Sequence, residues 1–429
     1  MEQNLNVVHP NRIQSIDVLR GIALLGLPTM NIIHFSMPQA AYMNPYVYQA
    51  DAFMNHFIFS FLNLFADQKF MGLFTLLFGA SLILLRDKNI SNGADSSLIH
   101  YSRMFVLLLL GLFHFWFIWS GDILMFYAVI GIMLYPLAQL SPKALFWISG
   151  VFLALTLYCV HIPNITPQAL GEDGFADVSE FYAPSDAFIE SHGKLMLGTY
   201  SQTMSVHRAE EELPPESTTQ SEEELAQSFK AMWVFVSFGL FIFCKMICMI
   251  TLGMALYKTG VVQGNRTLSF YKTLAFIGIS IGGIVTISGL VYNYQRAWDI
   301  QSFFSYGMLL KEFGSVLMTL GYVGLFIYLL QKGILSLAGQ FIARVGQMAL
   351  TNYLSQSIIC ALLFYGIGLG LYGSVSRLEL IPIIIGIWIV QIVFSVVWLN
   401  HFVQGPVEWL WRSTSSLKLQ PLLRKPNSI

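Results

Sequence analysis

An acid and an arginine stand at the mouth of the first apolar segment, in Asp17-Val18-Leu19-Arg20-Gly21. Asn31 follows eleven residues after Arg20. At ~1.5 Å per helical residue, the two are separated by roughly 16 Å along the axis. A charge at one membrane face and an amide near the other suggest a path for a ligand. A guanidinium matches phosphate oxygens with paired donors, and a side-chain amide can polarise a carbonyl. The plain alternative is that Arg20 snorkels to the interface and Asn31 holds a neighbouring helix.

A second pair of residues carries acid–base chemistry. His114, in Gly111-Leu112-Phe113-His114, lies near the outer end of one apolar segment, and Asp122, in Ser120-Gly121-Asp122-Ile123, opens the next. The short turn makes these segments antiparallel neighbours, so the two side chains fall within a turn or two of each other. A carboxylate beside an imidazole raises its basicity and fixes its tautomer. The alternatives are a helix N-cap for Asp122 and an interhelical hydrogen bond for His114.

Other polar groups sit in apolar surroundings, where a charge costs ~2.5–3.5 kcal/mol on insertion scales. His34 shares a helix face with Asn31. Lys69 follows Asp67 and either pairs with it or points inward toward an anionic group. Lys245 and Lys311 lie deep in apolar segments, with Glu312 beside Lys311. Thr351, Asn352 and Gln356 share one face and either line a polar substrate pathway or bind neighbouring helices. The run Gly366-Ile367-Gly368-Leu369-Gly370 follows no strand, so it reads as close helix packing rather than a phosphate loop.

These residues must be positioned by a membrane fold. Of 429 residues, 55% are hydrophobic and only 11% charged, against about 25% charged in soluble domains. The mean hydropathy is +0.62. The reading is an all-α polytopic membrane protein. About ten segments are long enough to cross a bilayer, at 15–35, 69–85, 101–119, 123–140, 144–162, 231–257, 268–292, 303–330, 348–372 and 380–402. The apolar stretch 53–65 is too short to span alone and reads as an interfacial or re-entrant helix. The first segment, with Arg20 near its start and Pro28 within it, reads as a retained helix rather than a leader.

Lys and Arg concentrate in one set of connections, including Arg12, Arg86, Lys88, Lys143, Lys258, Lys332, Arg412 and Lys425. The opposite set holds few, among them Lys194, Arg208 and Arg296. This places both termini in the cytoplasm. Residues 1–162 then form a first five-helix half, 163–228 an acidic outer loop, 229–403 a second five-helix half and 404–429 a cytoplasmic tail. The outer loop, with Glu210-Glu211-Glu212 and Glu222-Glu223-Glu224, reads as solvated and partly disordered. Cys159, Cys244, Cys248 and Cys360 all fall in apolar segments and read as buried thiols. A net charge of −1 argues against a nucleic-acid partner. No metal-ligand cluster or Walker motif is present.

Several blocks carry a resemblance. Asp17-Val18-Leu19-Arg20-Gly21-Ile22-Ala23-Leu24, Pro38-Gln39-Ala40-Ala41-Tyr42-Met43-Asn44-Pro45 and Gly121-Asp122-Ile123-Leu124 resemble the YeiB-like bacterial inner-membrane family. So do Gly346-Gln347-Met348-Ala349-Leu350-Thr351-Asn352-Tyr353-Leu354 and Gly405-Pro406-Val407-Glu408-Trp409-Leu410-Trp411-Arg412. That resemblance implies a multi-pass protein of the bacterial inner membrane, loosely associated with transport. The first helix is also similar to those of membrane acyltransferases. In the bacterial family that modifies surface sugars, a His stands where this chain has Asn31. The lysosomal heparan-glucosaminide acetyltransferase resembles Leu19–Leu24 and has Asn there. A His further along that enzyme corresponds to the neighbourhood of Tyr42, so the base must be found elsewhere, and His114 is the candidate.

Three functions follow. The first is acyl transfer across the membrane. Asp17, Arg20 and Gly21 would receive a cytoplasmic acyl-coenzyme A, Asn31 would polarise its carbonyl, and His114 with Asp122 would deprotonate a sugar or other envelope acceptor. The second is transport of a small molecule or lipid, past Lys69, Asn352 and Gln356. The third is a non-catalytic membrane scaffold.

Overall fold

The computed structural model describes residues 13–93, 95–161, 165–208 and 222–424. Arg12, the stretch 210–215 and Lys425 lie outside the described residues. Among those described, every regular element is helical.

The first crossing is built from α1 (Gln14–Gly26) and α2 (Pro28–Ser36). Leu27 keeps helical angles between them, and Pro28 takes the first position of α2, where its missing N–H matters least. A 3₁₀ turn at Gln39–Tyr42 then folds the chain back. The short helix α3 (Phe53–Phe65) is two-faced. Asn55, Ile58, Phe59 and Asn63 are buried, while Phe53, Phe57 and Phe61 are exposed. It breaks at Ala66, Asp67 and Gln68, the last with φ +63°, before α4 (Lys69–Ser91) begins.

Three crossings complete the first half: α5 (Ser96–Phe117), α6 (Leu124–Leu134) with a 3₁₀ extension at Tyr135–Gln139, and α7 (Pro142–His161). The outer region is not the open loop its acidity suggests. It forms α8 (Pro167–Tyr182), α9 (Asp186–Met196) and α10 (Tyr200–Arg208). Its apolar positions Leu170, Val178, Tyr182, Met196 and Met204 are buried, which gives these helices a tertiary reason to form.

The second half runs through α11 (Glu222–Lys258), α12 (Leu268–Gln295), the single turn α13 (Ile300–Ser302), a π-helical turn at Phe303–Gly307 and α14 (Met308–Gln331). It ends with α15 (Ser336–Gln347), α16 (Ala349–Phe364), α17 (Arg377–His401) and the amphipathic α18 (Pro406–Ser416).

Among the described residues, eight helical segments are long and apolar enough to cross a membrane. Two shorter apolar helices, Leu124–Gln139 and Ala349–Phe364, occupy the fourth and ninth expected spans. The chain is an all-α polytopic membrane protein. Side chains such as Phe105, Trp147, Phe276, Ile284 and Ile389 stand exposed along these helices and present an apolar surface to lipid. The ninth span is shorter than its sequence suggests. The glycine run after Phe364 is non-helical, with φ +65° at Gly370 and +68° at Gly373. A Cβ on Gly366 would lie 2.1 Å from the Leu197 carbonyl oxygen, so this turn packs on the outer helices.

Glycines set the closest crossings. A Cβ on Gly79 would lie 2.0 Å from the Ile250 carbonyl oxygen, and one on Gly253 would lie 1.8 Å from that of Leu76. α4 and α11 therefore meet backbone to backbone, as helices in lipid favour when small residues allow it. α1 meets α15 in the same way, with Gly346 against the Asp17 carbonyl and Gly21 against that of Ile342.

Candidate functional site

A cavity of about 240 Å³ lies between α2, the 3₁₀ turn at Gln39–Tyr42, the α5–α6 turn and the first turns of α16. Asn31 and His34, one helical turn apart on α2, form one wall. Tyr42 from the 3₁₀ turn, Trp119, Gly121 and Ile123 from the α5–α6 turn, and Tyr353 from α16 form others. Phe181 and Phe238 close it on the side of the outer helices and α11.

The expected pairing of His114 with Asp122 is formed beside the α5–α6 turn. His114 Nδ1 lies 2.9 Å from Asp122 Oδ1, and both side chains are fully buried. Facing a carboxylate, Nδ1 carries the proton, and Nε2 keeps its lone pair. That Nε2 is buried without a hydrogen-bond partner. Two cavity rings pack near the imidazole: Tyr353 has its centroid 5.6 Å from it, and Trp119 stands edge-on at 6.4 Å. The capping reading of Asp122 also holds, because Oδ2 accepts the Met125 N–H at 3.2 Å. The Tyr353 hydroxyl donates to Asp122 Oδ1 at 3.3 Å. One carboxylate thus starts α6, orients the imidazole and ties α16 to both.

Tyr353 is the residue that sequence reasoning missed. Its only signal was membership of the block 346–354. The structure supplies the reason for that block and for its partner near the C-terminus. Glu408 of α18 accepts the Leu350 and Thr351 N–H groups at 2.7 and 3.1 Å, and the Thr351 hydroxyl at 2.5 Å. It thereby caps the start of α16 three residues ahead of Tyr353. Gly405 is required beside it, since a Cβ there would lie 2.2 Å from Glu408 Oε2.

The other expected site residues are placed apart. Arg20 bonds Asp17 Oδ1 at 3.2 Å and Ser81 Oγ at 2.8 Å, and is not among the cavity walls. Gly21 serves the α1–α15 crossing described above. Asn352 and Gln356 face neighbouring helices rather than the cavity. The Asn352 amide donates to Ser395 Oγ at 2.9 Å, and the Gln356 amide to Gln391 Oε1 at 2.9 Å and the Leu24 carbonyl at 3.1 Å.

Lys69 is fully buried, and its ammonium donates to the Asn63 carbonyl at 2.6 Å rather than pairing with Asp67. Asp67 is taken instead by Lys311 and by the Tyr42 hydroxyl. Lys245 pairs with Glu312 and bonds Gln68 Oε1 at 2.6 Å. These charges gather around the break between α3 and α4. Tyr42 joins them to the cavity, with its ring stacked on His34 at a centroid distance of 4.6 Å. The four cysteines are free thiols. Among the described residues, no group of three or more His, Cys, Asp or Glu side chains is placed to hold a metal ion.

Comparison with known proteins places relatives across nearly the whole chain. The family model described as "Protein of unknown function (DUF418)" matches residues 256–418. "Uncharacterized protein YeiB" of Escherichia coli (strain K12) is 32% identical over 416 residues, covering 96% of this chain and 98% of that protein. "Uncharacterized protein YxaH" of Bacillus subtilis (strain 168) is 29% identical over 422 residues, covering 96% of each. An "Uncharacterized 39.9 kDa protein in amylase 3'region" of Bacillus acidopullulyticus is 24% identical over 426 residues, covering 96% of each. No solved structure matches.

Proposed function

The chain belongs to the YeiB-like family of membrane proteins, and from that premise we propose that it is an acyltransferase of the bacterial inner membrane. It would move an acyl group from a cytoplasmic acyl-coenzyme A, such as acetyl-coenzyme A, to an envelope acceptor bound in this cavity. The observation that supports this reading is the buried His114–Asp122 pair, with an unpartnered Nε2 and with its imidazole 5.6 Å from the ring of Tyr353, a wall of the cavity that Asn31 also lines.

In this mechanism a small rotation of the Tyr353 or Trp119 ring opens Nε2 to the cavity. His114 then takes the proton from an acceptor hydroxyl or amine as that heteroatom attacks the thioester carbonyl. Asp122 stabilises the imidazolium that forms. The Asn31 amide donates to the oxygen on which charge develops. The new acyl–oxygen or acyl–nitrogen bond forms as the carbon–sulfur bond breaks, and His114 returns its proton to the leaving thiolate. Arg20, held by Asp17 and Ser81, is the proposed contact for the donor's phosphates near the cytoplasmic face. The test is release of free coenzyme A by the purified protein in vesicles supplied with acetyl-coenzyme A and an envelope extract. His114→Ala should abolish release while leaving donor binding intact. Equal release by both proteins would remove the mechanism.

Small-molecule transport is the second reading. The charged break between α3 and α4 favours it, because non-helical backbone at membrane depth is tolerated where it lines a cavity or is buried in protein. Movement of a solute with no covalent change would select it.

A further inference from the structure

The buried charges beside the cavity do not balance. Lys69, Lys245 and Lys311 meet Asp67 and Glu312, all buried, and the two ion pairs Lys311–Asp67 and Lys245–Glu312 leave Lys69 in excess. The donors do not balance either. Each ammonium has three, yet Lys69 and Lys311 each have one partner here, and Lys245 has two. A second cation lies against the 3₁₀ turn that carries Tyr42. Arg377 is buried and donates to the Ala41 carbonyl at 2.5 Å and Asn55 Oδ1 at 2.7 Å. Its remaining Nη1 has no partner, and no carboxylate among the described residues pairs with it.

Tyr42 stands between these cations and the cavity. Its ring is a cavity wall, its hydroxyl lies in the cluster, and the Lys311 ammonium sits 5.7 Å from its ring centroid. Uncompensated charge in a membrane interior is expensive and usually functional. Here Tyr42 separates it from a hollow whose walls include the rings of Trp119, Phe181, Phe238 and Tyr353.

We infer that the cavity binds a compact oxyanion, a carboxylate or phosphate carried on a small flat or apolar body. The negative group sits toward Tyr42 and the lysine cluster, and the body lies against the aromatic walls. This rests on the cavity being the substrate site, and it makes the acyl acceptor an acidic molecule. The oxyanion comes either from a free solute or from a lipid headgroup.

The test is thermal unfolding of the full-length protein in nanodiscs, with three arms. In phosphatidylcholine nanodiscs the probes are inorganic phosphate and glycerol phosphate, each against chloride at equal ionic strength. The third arm replaces phosphatidylcholine by phosphatidylglycerol. Saturable stabilisation by a soluble probe identifies a free solute, and stabilisation in phosphatidylglycerol alone identifies a headgroup. Lys69→Met should weaken the response more than about tenfold, since one unit charge at an effective dielectric near 20 contributes that much out to about 12 Å. Glu312→Gln raises the positive excess and should tighten binding, which keeps the test decisive if Lys69→Met fails to fold. No stabilisation in any arm, an equal response in Lys69→Met, or an unchanged or weaker response in Glu312→Gln would overturn the inference. A protein that binds the anion but never consumes acetyl-coenzyme A loses the acyltransferase reading alone. Turnover without an anion response removes this inference alone.

Discussion

Asp122 offers the sharpest separation of chemistry from packing. Its carboxylate accepts from His114 Nδ1, the Met125 N–H and the Tyr353 hydroxyl. Asp122→Ala leaves the imidazole N–H and the Tyr353 hydroxyl buried without a partner. Each such group costs roughly 1–3 kcal/mol, and the lost helix cap adds about 1 kcal/mol. The total of about 3–7 kcal/mol reaches the upper end for single substitutions. Asp122→Asn behaves differently. Its amide oxygen still serves His114 and Tyr353, and only the cap is lost, at about 1 kcal/mol. Turnover falls much further, because the neutral amide cannot stabilise the imidazolium; a factor of ~10²–10⁴ is the scale of acid–base assistance. Thermal unfolding and coenzyme A release, measured on one preparation in nanodiscs, separate the two effects. The reasoning is refuted if the Asn variant is as unstable as the Ala variant, or if its turnover stays within about twofold of wild type.

Three further outcomes are expected. Arg20→Ala should weaken the thermal stabilisation given by coenzyme A, and Arg20→Lys should weaken it less, since a lysine keeps the charge but not the two-sided hold on Asp17 and Ser81; an unchanged shift in Arg20→Ala counts against this donor site. Glu408→Ala should lower stability by about 2–4 kcal/mol, because two backbone N–H groups and a hydroxyl lose a charged acceptor. Glu408→Gln should recover much of that loss, and equal melting of the two variants would show that the cap is not the cause. Burial lowers the pKa of His207, on outer helix α10, from 6.5 to about 4, assisted by His192 and His34. Its neutral form bonds Tyr365 and Ser120. Because the folded value is depressed, its contribution is complete above about pH 6.5 and is lost as pH falls toward 4. Lower amide protection in α10 at pH 5 than at pH 7.5, after correction for the intrinsic exchange rate at each pH, is the expected sign, and His207→Gln should remove the difference.

Much of this architecture was legible because apolar length is a direct consequence of the bilayer. The short turn between α5 and α6 likewise couples His114 to Asp122 locally. Tyr353 escaped because its bond to Asp122 spans more than half the chain, and no local pattern records such a contact. The lysine cluster escaped for a geometric reason. Lys311 and Glu312 are neighbours in sequence, so they read as a self-neutralising pair. Successive helical residues point about 100° apart, and the two reach different partners: Asp67 at the α3–α4 break and Lys245 on α11. The outer helices were masked by composition, since their acidic residues outnumber the few apolar positions that bury them. Asn352 and Gln356 were ambiguous because a polar stripe on a membrane helix looks the same whether it lines water or bonds another helix.

The assignment of the base rests on what each candidate's neighbours permit. Tyr42 lines the cavity and carries an ionisable hydroxyl. Its hydroxyl proton is committed to Asp67, and the same oxygen accepts from Gln68 at 3.1 Å. It cannot remove a proton from an acceptor without first breaking both bonds. His34 faces the cavity directly, but it is stacked on Tyr42 and has no carboxylate hydrogen-bonded to its ring to fix a tautomer or hold an imidazolium. It suits binding a flat body better than moving a proton. Among these three, only His114 combines a carboxylate on one nitrogen with an unengaged lone pair on the other. His114 is not itself among the cavity walls, whereas Tyr353 and Trp119, whose rings pack near the imidazole, are. An acceptor with an aromatic-stacking body and an acidic group is the kind of ligand that would move Tyr353 and Trp119 on binding. It would open the base only when the site is filled, and so protect the thioester from water.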